Sequence, residues 1–81
     1  MRIAIKALGQ VADVLGKREF DLEVHKGNAM SSVRDALCRA HPELILLWPS
    51  LAIAVNGEFI EGGCPLKGGD EVLLLSPISG G

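Results

Sequence analysis

The sequence has few aromatic residues and no concentration of basic ones. Its 81 residues include two phenylalanines, one tryptophan and no tyrosine, so the core must be aliphatic. Eight Lys and Arg against ten Asp and Glu give a formal charge of −2. A weakly acidic chain with scattered basic residues is not suited to nucleic acid as its main partner.

Long apolar runs and a secretory signal are also missing. The longest apolar runs, residues 44–48 and 51–55, fall far short of the ~18 residues of a membrane helix. The N-terminus alternates like a strand and lacks the apolar core and cleavage site of a signal peptide. We therefore expect a cytoplasmic protein without a membrane partner.

The sequence contains only two cysteines and two histidines. Cys38 and Cys64 form no C-x-x-C pair, and without a secretory signal we expect two free thiols. The spacing of the cysteines and histidines matches no zinc site. We therefore expect no metal, no bound cofactor and no autonomous active site.

Alternating residues near the N-terminus predict two strands. Residues 2–8 place three apolar residues on one face and the basic residues Arg2 and Lys6 on the other. Residues 19–25 alternate more cleanly between apolar and mostly acidic side chains, which predicts an antiparallel pair. Between them, residues 10–15 fit a short helical turn with Val11, Val14 and Leu15 facing inward.

Helical spacing replaces alternation after residue 30. Ser31 or Ser32 offers a hydroxyl for the N-cap, and Pro42 should end the helix near His41. The predicted buried stripe comprises Val33, Ala36, Leu37 and Ala40.

Residues 43–48 are ambiguous, because five consecutive apolar residues fit either a second helical turn or a covering loop. We expect Leu44 to Trp48 to cover the core rather than to form a partner surface. Pro49 should close the segment.

The second half of the chain predicts three further strands. Residues 51–55 fit a buried strand, Asn56-Gly57 fits a type I′ turn, and residues 58–60 form a short return strand. Leu66 should point inward, and residues 67–70 should turn into a last strand that ends at residue 75. One main helix and this strand order predict an α+β fold of the β-grasp (ubiquitin-like) type, with the first and last strands parallel at the centre of a mixed sheet.

The C-terminal residues 76–81 differ from the predicted domain, residues 1–75. Pro77 lacks an N–H and should stop strand pairing, so we expect a flexible tail with a reach of roughly 20 Å. Gly80 and Gly81 carry no side chains, which lets the backbone enter a narrow channel. The terminal carboxylate becomes a good acyl donor once it is adenylated.

Three segments, residues 55–57, 65–72 and 77–81, resemble the ubiquitin-like sulfur-carrier family that includes the small subunit of molybdopterin synthase. The resemblance implies that an E1-like activating enzyme uses ATP to adenylate Gly81 and that a sulfurtransferase converts it to a thiocarboxylate. The tail would then enter the large subunit of a heterotetrameric synthase and donate sulfur to cyclic pyranopterin monophosphate. Gly80 and Gly81 would be the reacting end, and Pro77, Ile78 and Ser79 the partner contacts.

Three alternatives to this function are open. A sulfur carrier for thiamine synthesis shares the Gly-Gly end and the adenylation chemistry, although such chains tend to be shorter. A ubiquitin-like modifier would instead link Gly81 to lysines of target proteins. A β-grasp binding module with an inert tail is the third alternative.

Overall fold

Five strands form one mixed sheet in the computed structural model, which describes residues 1–61 and 63–77. The strands are β1 (Arg2–Leu8), β2 (Glu19–Glu23), β3 (Ala52–Val55), β4 (Glu58–Ile60) and β5 (Glu71–Leu75). The helices are α1 (Gln10–Leu15), α2 (Met30–Ala40) and α3 (Leu44–Leu47), and a 3₁₀ turn follows at Trp48–Ser50.

The strands lie in the order β2-β1-β5-β3-β4. At the centre, β1 and β5 pair in parallel, with Ile5 opposite Val72 and Leu8 opposite Leu75. The other neighbours are antiparallel. A parallel pair needs a long connection, and the connection between β1 and β5 contains α2. The predicted β-grasp fold is confirmed.

The core lies between one face of the sheet and the helices. Period-two alternation in β1 and β5 sends every second side chain to this face, and α2 covers it with Met30, Val33 and Leu37. Burying each large aliphatic side chain stabilises the fold by roughly 1.5–3 kcal/mol. The most deeply buried large side chains are all aliphatic, as expected: Ile3, Ile5, Val11, Val33, Leu44, Val72 and Leu74.

Helix α2 begins earlier than predicted. Its N-cap is Ala29, an extended residue, and neither Ser31 nor Ser32 takes that position. The Ser32 hydroxyl instead accepts a hydrogen bond from the Ala29 N–H at 3.4 Å. The earlier start has a tertiary cause, because Ala29 bridges to Pro65 and Met30 is buried in the core. The buried stripe therefore begins at Met30, while Ala36 is half-buried and the predicted core residue Ala40 is exposed.

The ambiguous segment is helical and divided between core and surface. Leu44 is fully buried, as expected for a covering role, whereas Ile45 and Leu46 are 61% and 88% exposed. Pro49 lies inside the 3₁₀ turn and does not close the segment. In the described ranges, the helices are all too short or too polar to cross a membrane.

Strand β3 is less buried than predicted. Ala54 is buried, but Ile53 and Val55 are half-exposed. Ile53 lines a groove between α2 and the β3–β4 side of the sheet, together with Met30, Arg34, Ile60 and others.

The predicted turns and thiols agree with the structure. Asn56 and Gly57 have φ values of 51° and 87°, as a type I′ turn requires. Leu66 is buried, and Gly69 has a φ of 92° in the turn before β5. Cys38 and Cys64 are both free.

Candidate carrier site at the end of the last strand

Ser76 holds the chain at the point where it leaves the sheet. Its N–H donates to the Leu8 carbonyl at 3.1 Å and continues the ladder between β1 and β5. Its hydroxyl accepts a hydrogen bond from the Val11 N–H at 2.8 Å, and the residue is 2% exposed. We call these two hydrogen bonds the Ser76 anchor. The sequence assigned Ser76 to the tail, but the structure places it in the folded domain.

The Ser76 anchor also completes helix α1. The N-cap of α1 is Gly9, which has no side chain to accept a hydrogen bond from the first turn. Val11 is the second residue of the helix, and its N–H is one that an N-cap side chain normally satisfies. Ser76 therefore supplies the cap from 65 residues away.

Pro77 is the last described residue and is exposed. Its ring fixes φ and removes one donor, so it cannot extend the ladder between β1 and β5. The predicted contact residues Ile78 and Ser79 and the predicted reacting residues Gly80 and Gly81 lie outside the described residues. Their roles stay predictions.

The sheet face opposite the core is apolar next to this exit. Leu8 is 47% exposed and Phe59 68% exposed, and half-buried Leu73 and Leu75 lie between them in the strand order. We call these four residues the exit patch. Sequence reasoning did not identify it. The signal was present, because the run Leu73-Leu74-Leu75 places apolar residues on both faces of β5.

The same sheet face is charged on the β2 side. Glu19, Asp21 and Glu23 are exposed there. Lys6 lies between Glu19 at 3.8 Å and Glu71 at 3.5 Å. These ion pairs are exposed and contribute little stability, on the order of 0–1 kcal/mol each. The charges therefore mark the border of the exit patch rather than hold the sheet together.

A second buried polar residue, Asp70, fastens the start of β5. Its carboxylate accepts hydrogen bonds from the Lys67 N–H at 2.9 Å and from the Asn56 side-chain amide at 3.0 Å. The Asn56 side-chain oxygen in turn accepts the Glu71 N–H at 2.9 Å. The Lys67 N–H, and next the Asn56 amide, lower the pKa of Asp70 because both bond to its charged form. This network joins the β3–β4 hairpin to β5.

The described residues include further side chains with reactive potential, among them the Cys38 thiol and the possible metal ligands. Burial raises the pKa of the Cys38 thiol, which disfavours the reactive thiolate. In residues 1–61 and 63–77, no three His, Cys, Asp or Glu side chains are grouped to hold a metal ion.

The fold and the held exit of the chain from a central strand define a ubiquitin-like β-grasp domain. The chain belongs to the ThiS family, whose model matches residues 5–81. That match runs from β1 to the terminal Gly-Gly.

Three relatives illustrate the range of the family. The molybdopterin synthase sulfur carrier subunit of Chlamydomonas reinhardtii is 29% identical, and the match covers 100% of both chains. Small archaeal modifier protein 1 of Haloferax volcanii is 31% identical over 94% of this chain and 97% of its own. Its crystal structure superposes with a TM-score of 0.83 at 28% identity and full coverage of both chains. The complex of subunits 1 and 2 of molybdopterin-converting factor from Helicobacter pylori contains a chain that superposes with a TM-score of 0.69, at 28% identity and 100% coverage of both.

Proposed function

We propose that this chain is the sulfur carrier subunit of a molybdopterin synthase. One observation carries the proposal: its likeness to the Chlamydomonas carrier subunit extends over the whole of both chains. The structure adds a rigid exit at Ser76, five residues before the terminal carboxylate of Gly81.

The proposed chemistry takes place on the Gly81 carboxylate. The carboxylate attacks the α-phosphate of ATP in an E1-like activating enzyme, which releases pyrophosphate and leaves an acyl adenylate. A persulfide on a sulfurtransferase then attacks the acyl carbon and displaces AMP. A second thiol attacks the sulfur that remains bound to the sulfurtransferase, forms a disulfide with it and frees the thiocarboxylate.

The thiocarboxylate would donate its sulfur to cyclic pyranopterin monophosphate inside the large subunit, in a heterotetramer of small and large subunits. The Helicobacter complex of two subunits supports a large-subunit partner. The exit patch supports the same partner, because an apolar surface beside the tail can be buried when the tail is inserted. Pro77, Ile78 and Ser79 would make the first contacts, and Gly80 would pass the narrow part of the channel.

The proposal requires no bound cofactor in this chain, since ATP is consumed by the activating enzyme. It also fits the cytoplasm, where reducing conditions keep thiols such as Cys38 and Cys64 free.

The proposal is tested by incubating the full chain with the activating enzyme, ATP and a sulfur donor, followed by intact-mass measurement. We expect the mass gain of one oxygen-for-sulfur exchange. The sulfurated chain is then mixed with the large subunit and cyclic pyranopterin monophosphate, and molybdopterin formation is measured.

Deletion of Gly81 is the matched control, because it transfers the terminal carboxylate to Gly80, about 3.5 Å short of its normal reach, and leaves the domain unchanged. We expect unaltered unfolding and complete loss of sulfur transfer. Molybdopterin formation by the Gly81-deleted chain would refute the proposal.

Protein modification is the second candidate function, favoured by the 31% identity to the Haloferax modifier. The two functions share the acyl adenylate and differ in the nucleophile, which here would be a lysine amine of a target protein. Tagged chain expressed in cells should then appear in covalent conjugates that resist thiols and depend on Gly81. If the chain forms conjugates but does not support molybdopterin formation, the modifier function is favoured.

A further inference from the structure

We propose that Ser76 is a positioning residue for the C-terminal carboxylate: its anchor fixes where the tail begins and in which direction it leaves. This inference rests on the proposed function, because it concerns the delivery of Gly81 to the activating enzyme and the large subunit.

The first argument is the location of Ser76. A serine at the end of a strand and before an exposed proline would ordinarily be solvated, yet this one is 2% exposed. A buried hydroxyl is retained without cost only when it is hydrogen-bonded, and the Val11 N–H provides that bond. The burial therefore belongs to a specific arrangement and not to a frayed strand end.

The second argument is the rigidity of what Ser76 is bound to. Val11 is fully buried and Leu15 is 5% exposed, so α1 is packed into the core through this side. Ser76 is thus held by β1 through its N–H and by α1 through its hydroxyl. Two bonds to two different elements fix a direction, whereas the ladder bond to Leu8 alone would leave a hinge.

The third argument is the close approach of Gly9 to Ser76. A Cβ at this position would lie 3.1 Å from the Ser76 Cβ and 3.3 Å from the Ser76 carbonyl oxygen. Gly9 also has a φ of 84°, a backbone angle that residues with a side chain rarely adopt. Residue 9 therefore lets the exit of the chain lie directly against the start of α1.

The fourth argument is the short distance that remains. Five residues follow Ser76, and they span at most about 18 Å when fully extended. Pro77 additionally restricts Ser76 to extended backbone. With so short a tail, a change of direction at its base moves the carboxylate by many ångströms, and only the correctly directed fraction is ready to bind.

Three variants of the full chain separate positioning from simple destabilisation. Ser76→Ala removes the hydroxyl, and Ser76→Thr retains it. Ala12→Gly is the control, because it weakens the same helix through its intrinsic propensity and the loss of one buried methyl group, and leaves the Ser76 hydroxyl in place. Hydrogen exchange of the Val11 amide measures the anchor directly in each variant.

Kinetics of adenylation by the activating enzyme then give KM and kcat for each chain. We expect KM to rise about three- to tenfold wherever Val11 protection falls below that of neighbouring core amides, because only a fraction of the tails is correctly directed. We expect kcat to stay unchanged, since the bound carboxylate is the same. Ser76→Ala should show this effect, whereas Ala12→Gly and any Ser76→Thr chain with protected Val11 should not.

The outcomes distinguish this inference from the function it rests on. If the wild-type chain is not adenylated, the proposed function fails. If it is adenylated and Ser76→Ala loses Val11 protection but keeps the wild-type KM, the positioning role is refuted and the carrier function stands. An equal rise of KM in an Ala12→Gly chain whose Val11 amide stays protected would likewise refute positioning.

Discussion

Strand β5 is fastened at both ends by a buried polar residue, and the two residues use different chemistry. Before the strand, the charged carboxylate of Asp70 accepts hydrogen bonds from Lys67 and Asn56. After the strand, the neutral hydroxyl of Ser76 accepts one from Val11. These are the two buried polar residues in the described parts of the chain.

The difference reflects what each end has to hold. The Asp70 end closes the domain, because both partners of its carboxylate belong to turns that join β3, β4 and β5. The Ser76 end passes the chain onward, so its partners must fix a direction without closing a loop. A charge strengthens the first end but makes it sensitive to acid, while the second end carries no titrating group.

The largest expected effect comes from the strand between the two ends. Leu74 is fully buried, and Leu74→Ala should lower the free energy of unfolding by about 2–5 kcal/mol by leaving a cavity. Leu73→Ala, on the opposite face of the same strand, is the control and should cost clearly less. Urea unfolding measures both. Equal losses would mean that the core face of β5 does not dominate stability.

The Ser76 end is tested by substitutions at the two glycines that flank α1. Gly9 and Gly16 have φ values of 84° and 78°, but only the Cβ of residue 9 would meet Ser76. Gly16→Ala should cost roughly 1–2 kcal/mol for the backbone conformation alone. Gly9→Ala should lower the free energy of unfolding in urea by more than Gly16→Ala does, because its Cβ also meets Ser76. Equal costs would show that Ser76 moves aside freely.

The Asp70 end is tested by acid. Because the pKa of Asp70 is lower in the folded chain, its contribution to stability is fully present above the ordinary carboxyl pKa of about 4 and is lost as the pH falls towards the folded-state value. Asp70→Asn should therefore flatten the pH dependence of unfolding below about pH 4. Asp13→Asn, at an exposed position of α1, is the control and should leave that dependence steeper than Asp70→Asn does.

The smallest expected change in stability is at the exit patch. Leu8 is 47% exposed, so Leu8→Ser should alter the free energy of unfolding by less than about 1 kcal/mol. Under the proposed function it should nevertheless weaken binding to the large subunit, measured by calorimetry. Leu46→Ser, at a residue that is 88% exposed in α3, is the control and should leave binding unchanged. A larger loss of binding in Leu46→Ser than in Leu8→Ser would place the contact with the large subunit at α3.

Local patterns predicted most of the elements but not how they start and end. The alternation of β1 and β2 and the Asn56-Gly57 turn could be identified because strand pleat and turn geometry depend on neighbouring residues. The start of α2 was wrong, because Ala29 is held by Pro65, which lies 36 residues later in the sequence. No local pattern reports such a contact.

The candidate carrier site was likewise only partly predictable from the sequence. The terminal Gly-Gly and the family resemblance could be recognised in the sequence. The exit patch could not, because Leu8, Phe59, Leu73 and Leu75 come from three strands that only the sheet order brings together. The role of Ser76 was also missed, since a serine before Pro77 has the local features of a tail residue.

By itself, the sequence determined the class of fold and the aliphatic core, and it predicted the chemistry of Gly80 and Gly81. These follow from side-chain periodicity, composition and the absence of Cβ atoms, all of which are local properties. The tertiary structure alone decided that the held part of the chain extends to Ser76 and that α1 is capped by it. That contact joins residues 65 positions apart, and only the parallel pairing of β1 with β5 brings them within hydrogen-bonding distance.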